Sequence, residues 1–126
     1  MDETLTSPRN VLGGQLEPCS LRPLTGFFRD GSCNTAAADR GSHTVCAVMT
    51  LEFLEFSRRC GNDLLRPRPD AAFPGLQPGD RWCLCAARWL EAFEVGLAPP
   101  VVLQATHERT LEVLDLAELR AYATVA

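Results

Sequence analysis

Phe73-Pro74-Gly75-Leu76-Gln77-Pro78-Gly79-Asp80-Arg81-Trp82-Cys83-Leu84-Cys85 is the stretch whose reading decides the fold. Two Pro-Gly turns come first, where proline fixes φ and glycine takes conformations other residues avoid. The run from Arg81 to Ala86 then predicts a strand, and Ala87 to Val95 a helix closed by Gly96. Part of the pattern has an echo upstream. Cys85-Ala86 is followed by Leu90, Glu91 and Glu94, and Cys46-Ala47 by Leu51, Glu52 and Glu55 in the same register. His43 to Met49 is rich in β-branched residues and reads as a strand. Thr50 is placed to cap a helix over about 51–60, with Gly61 just past its end. A duplicated strand–helix unit is therefore expected.

Outward from these units, residues 61–80 are broken by Gly61, Pro67, Pro69, Pro74, Gly75, Pro78 and Gly79. Connections longer than roughly 12–15 residues are uncommon in compact domains and are often functional. Leu24 to Arg29 is β-prone, Asp30-Gly31 is a turn signal, and residues 30–42 read as irregular. Pro100 to Ala105 predicts a third strand. Asp115 predicts the cap of a short final helix with Leu116, Leu119 and Ala123 on one face. Residues 1–9 read as a flexible tail and 10–126 as one domain. The expected class is α+β: a single-domain two-layer sandwich, its small sheet covered by helices on one face.

The chain has 126 residues, 46% of them hydrophobic and 22% charged, which suits one globular domain. No apolar run approaches the ~20 residues of a membrane span, and the N-terminal residues lack a signal-peptide pattern. A cytoplasmic setting is expected. Net charge is −4, against the basic footprint of a nucleic-acid binder. All twelve basic residues are arginine, so lysine chemistry is excluded. Six cysteines with no secretion pattern are expected to be reduced.

Cys83 and Cys85 are i and i+2, so on a strand they face the same way. Their Cα atoms would lie ~6.5–7 Å apart, at or beyond the reach of a disulfide. Two thiolates on one face could share a metal. Cys46 could join them, and Cys33 or His107 could complete a four-ligand zinc site. No CxxC pair is present, and buried structural cysteines are the commoner use of such positions. Cys85 is read as one of these buried thiols. His43 alternates away from Cys46, so the two do not form a nucleophile–base pair by strand parity. His107 follows a strand end, where it could act as a base or simply bond to backbone. Arg29-Asp30 and Asp80-Arg81 each stand beside a turn glycine, placed to lock a loop or to present donors to an anion. The sequence lacks the common nucleotide-binding, hydrolase and calcium motifs.

NVLG (10–13), TGFFRDGSC (25–33), HTVCAVMT (43–50), FLEFS (53–57), GNDL (61–64), FPGLQPGDRWCLCA (73–86) and APPVVLQATHE (98–108) together resemble the bacterial domain-of-unknown-function family 2237. The resemblance implies a small two-layer α+β domain and no established activity, substrate, cofactor or catalytic residue. The segments that carry it include Arg29, Asp30, Cys33, His43, Cys46, Asn62, Asp63, Asp80, Arg81, Cys83, Cys85 and His107.

Three functions stay open. The first is a module binding a small ligand or metal through Cys, His and Arg side chains. The second is a thiol-dependent enzyme with Cys46, Cys83 or Cys85 as nucleophile and His107 as base. The third is a structural protein with buried cysteines. The expected site lies where residues 25–46, the Asp80–Cys85 strand and His107 converge.

Overall fold

The computed structural model describes residues 7–124. Of the expected tail, residues 1–6 lie outside this range. Its sheet is a two-stranded antiparallel ribbon of β1 (His43–Val48) and β2 (Arg81–Cys85). Each strand feeds a helix: α1 (Leu51–Arg59) after β1 and α2 (Ala86–Glu94) after β2. A short α3 (Leu116–Ala121) follows near the C-terminal end. The fold is mixed α+β in one compact domain.

Strand alternation divides the chemistry. Val45, Ala47, Trp82 and Leu84 enter the main core with Phe53 and Leu54 of α1, Trp89 and Ala92 of α2, and Leu119 of α3. All three helices thus cover one face, as expected. Trp89 is fully buried, and its indole N–H donates to the Pro99 carbonyl at 3.0 Å, so the ring brings no unpaired donor inside. Its ring stacks on Phe93 and meets Tyr122 edge-on. Cys46 and Cys83 instead belong to a second, smaller cluster with Cys19, Cys33, Val102 and Ala105, and Val48 packs against it.

Helix ends follow the sequence signals. The Thr50 hydroxyl accepts from the Phe53 N–H at 3.0 Å, satisfying one orphan donor of α1. Asp115 caps α3, its own N–H donating to the Glu118 carboxylate at 3.0 Å.

The expected third strand is not present. In Pro100–Ala105 only Val101 bridges β1, at Ala47, and the Val102 N–H donates to Cys46. The chain then turns through Leu103–Ala105 in a 3-10 helix. The Thr106 hydroxyl donates back to the Val102 carbonyl at 2.8 Å, a local bond that competes with a ladder. Leu24–Arg29, β-prone by composition, forms turns. Gly26 has φ +106, and a Cβ there would collide with the Ser32 carbonyl. Arg29 also takes a left-handed φ of +54. Aromatic content signalled β structure, but backbone closure around Gly26 prevails.

Both strand–helix units exist, but the residue echo is not kept in space. Cys46 lies inside β1 and pairs with Cys83, whereas Cys85 ends β2 and is the N-cap of α2.

Candidate functional site

The ribbon register shifts between His43 and Val45, where Thr44 is the extra residue. Such a bulge re-aims a side chain. Past it, His43 stands directly across from Cys85. Directly opposed residues in an antiparallel pair have Cα atoms about 4.5–5.5 Å apart. Strand parity read from an unbroken β1 could not foresee this pairing.

Asp39 holds the His43 ring. Its Oδ1 lies 2.7 Å from His43 Nδ1, while its Oδ2 accepts from the His43 N–H at 3.0 Å and the Thr35 hydroxyl at 2.9 Å. A carboxylate only accepts, so Nδ1 carries the proton and Nε2 is the open acceptor of the neutral ring. Burial raises the Asp39 pKa. The hydrogen bonds from His43 and Thr35, joined by the His43 charge when that ring is protonated, outweigh burial and hold it below the usual carboxylate value. The carboxylate side chain is wholly buried and the imidazole is 45% exposed. Gly41 fits under this ring: a Cβ there would lie 2.8 Å from His43 Cε1.

His43 and Cys85 both line a cavity of about 640 Å³. Trp82 and Phe73 contribute an edge-on aromatic pair, with ring centres 5.1 Å apart. Arg29 closes one side, its guanidinium 5.2 Å from the Trp82 ring centre and donating to the Gly26 carbonyl at 2.7 Å. The long proline-rich loop supplies Asn62, Asp63 and Arg68. A second, more open cavity of about 800 Å³ is lined largely by Leu21, Pro23, Leu24, Pro67, Pro69 and Pro74, with no thiol or imidazole.

The sulfurs on the second face are mostly oxidised, contrary to the expectation of six reduced thiols. Cys19 is bonded to Cys46 and Cys33 to Cys83; Cys60 and Cys85 are free. The sulfurs of Cys19, Cys33 and Cys46 all lie within 4.8 Å of one another. Three neighbouring thiols could hold a metal, but the disulfides use the same atoms. The surroundings favour the neutral disulfides. Val102, Ala105 and Val48 pack against the cluster. The N–H groups of Cys19, Cys46 and Cys83 donate to Gly31, Thr106 and Thr25 oxygens rather than to sulfur. A buried thiolate cluster would carry charge into this apolar shell.

The expected site residues therefore separate. Cys33, Cys46 and Cys83 meet, and Cys19 joins them. Cys85 is half-exposed and free, so reading it as buried needs correction. His107 joins neither thiol group. The His107 N–H donates to Thr44, and segment 100–107 runs along the edge of β1 away from β2. His107 Nδ1 accepts from the Arg109 N–H at 2.9 Å, capping a 3-10 turn. Burial lowers its pKa and Arg109 adds to this, against an opposing effect of Glu108. Asp30 accepts from the Ser32 N–H at 3.0 Å and Asp80 from the Gln77 N–H at 2.9 Å, so both lock turns. Arg81 opens β2 opposite Val48.

The family described as an uncharacterized protein conserved in bacteria, domain-of-unknown-function family 2237, matches residues 9–123. The chain belongs to this family. No curated protein matches it. The family match takes in the whole cavity and both disulfides. Among the described residues no helix is long and apolar enough to cross a membrane.

Sequence reasoning missed Asp39, Cys19 and Arg68 as partners in these sites. Asp39 left one usable signal: an acid four residues before the only histidine of a predicted strand. The intervening loop geometry, with Ser42 at φ +50, is what turns that spacing into contact.

Proposed function

We propose that this protein binds a small ligand in the 640 Å³ cavity and acts on it through the Cys85 thiol. The placement of His43 across the ribbon from Cys85, with Asp39 on its far nitrogen, carries this reading. A nucleophile, a base and a group that orients the base are the parts of activated-thiol chemistry. Asp39 is the positioning residue. His43 Nε2 takes the thiol proton as Cys85 Sγ bonds to an electrophilic carbon of the ligand. The same proton passes to the leaving group as its bond to that carbon breaks. Water then releases the product by the reverse sequence, giving one proton to His43 and restoring the thiol. The cavity size is typical of small-molecule sites.

Cys60 is an internal control, being free, part-buried and outside the cavity. Peptide-mapped alkylation by iodoacetamide should modify Cys85 at least about tenfold faster than Cys60, given the contribution of a positioned base. His43→Gln should bring Cys85 down to the Cys60 rate. A Cys85 no faster than Cys60 would sink the nucleophile reading.

The convergence of the Cys19, Cys33 and Cys46 sulfurs favours a second reading, a zinc site formed when the disulfides are reduced. Native mass spectra of protein purified without chelator separate the two. A mass four hydrogens below the reduced chain supports the two disulfides. A stoichiometric zinc adduct on the reduced chain supports the metal.

A further inference from the structure

We infer that the cavity selects a small monoanionic carboxylate with a flat apolar body, its electrophilic carbon presented to Cys85. This inference rests on the nucleophile reading above. Arg29 and Arg68 line the same cavity, Arg29 from the turn after Gly26 and Arg68 from the proline-rich loop. Ion pairs among the described residues join Asp39 to His43, Arg88 to Glu91 and Arg109 to Glu112. Neither cavity arginine has a carboxylate partner among them. The carboxylate on the wall, Asp63, accepts from the Leu65 N–H at 3.1 Å.

Two arginines against one aspartate on the lining leave a single positive excess before any charge on His43 is counted, which suits a monoanion better than a dianion. A guanidinium fork matches the two oxygens of a carboxylate. Arg29 is also held in an unusual way. A non-glycine residue at φ +54 is strained, and such strain gathers where a side chain is needed in one place. Its plane lies by Trp82 and one nitrogen is tied to Gly26, leaving other donors for a ligand. Phe73 and Trp82 form the apolar wall on which a flat body would rest.

Iodoacetate and iodoacetamide test this directly, because they deliver the same carbon with and without a carboxylate. Both reagents are applied to the intact protein, and rates at Cys85 and Cys60 are read from the same digests. The iodoacetate-to-iodoacetamide rate ratio at Cys85 should exceed that at Cys60 on the order of tenfold and shrink as salt is added. Arg29→Gly should restore the Cys60 ratio, and glycine accepts that backbone angle without strain. Arg68→Gln gives a second variant in an exposed loop. Equal ratios at the two thiols would overturn the carboxylate inference, even with Cys85 the faster thiol. A Cys85 slow with both reagents would overturn the nucleophile reading, while the ratio would still decide the charge preference.

Discussion

Cys83 and Cys85 stand two residues apart in one strand and have opposite chemistry. Cys83 is 2% exposed, bonded to Cys33 and packed beside Cys46 across the ladder. Cys85 is free, part-buried and opposite an imidazole. Parity gives both thiols the same side of a regular strand. What separates them is their surroundings. In mid-ribbon the chain closes over the sulfur with Val102 and Ala105, which offer no proton acceptor. At the ribbon end, a bulge on one strand and a helix start on the other leave space for solvent, a histidine and a cavity. One region is built to hold sulfur still, the other to let it react.

Removing the sulfur crosslinks is the largest perturbation of this contrast. Cys33–Cys83 spans 50 residues and Cys19–Cys46 spans 27. Loop-closure entropy assigns them about 4 and about 3.5 kcal/mol respectively. Urea midpoints of the Cys33→Ala/Cys83→Ala and Cys19→Ala/Cys46→Ala proteins should both fall, the first further. Cys85→Ala should move the midpoint by less than either pair. A Cys85 variant as damaged as a crosslink variant would make Cys85 a structural thiol and erase the contrast.

Asp39→Asn probes the reactive region. The buried carboxylate accepts from Thr35 and twice from His43. An amide has one accepting oxygen, so either one donor is left unmatched, at a cost of about 1–3 kcal/mol, or the His43 ring changes tautomer to accept from the amide nitrogen. Alkylation at Cys85 should slow because the amide can fix the wrong nitrogen of His43, and Cys60 should not change. Acid adds a second test. The folded-state pKa of Asp39 is depressed, so its contribution is fully present above the ordinary carboxylate pKa of 3.8 and is lost as pH falls through the folded value. Asp39→Asn should flatten the stability curve in that acid range. An unchanged Cys85 rate in a folded variant would remove Asp39 from the site.

Much of the scaffold was legible because its signals are local. Thr50 and Asp115 are caps whose side chains act within one turn, and Phe53, Leu54 and Trp89 fall at helical spacing. The site was legible only in parts. Arg29, His43 and Cys85 stood out as residue types, but their meeting depends on an extra residue at Thr44 and a left-handed Ser42. No periodicity announces a bulge. The disulfides were hidden for another reason: Cys19 and Cys33 come from loops with no regular spacing to β1 or β2, so their approach is a tertiary fact. His107 had two readings in the sequence, and backbone capping is the one the geometry displays.

The two histidines give the finest form of the contrast. His43 donates through Nδ1 to a carboxylate, whereas His107 accepts through Nδ1 from a backbone N–H. Protonation leaves the first contact intact and removes the second. Burial depresses the His107 pKa from its ordinary value of 6.5, so the unfolded chain takes up that proton first. Its stability contribution is therefore complete above pH 6.5 and is lost as pH falls through the lower folded value. An asparagine can accept the same N–H without titrating, so His107→Asn should keep the neutral-pH midpoint and flatten its fall on mild acidification. Because His107 lies across β1 from the cavity, the same variant should leave the Cys85 alkylation rate untouched. A changed rate would tie the two edges of β1 together and return His107 to the reactive region.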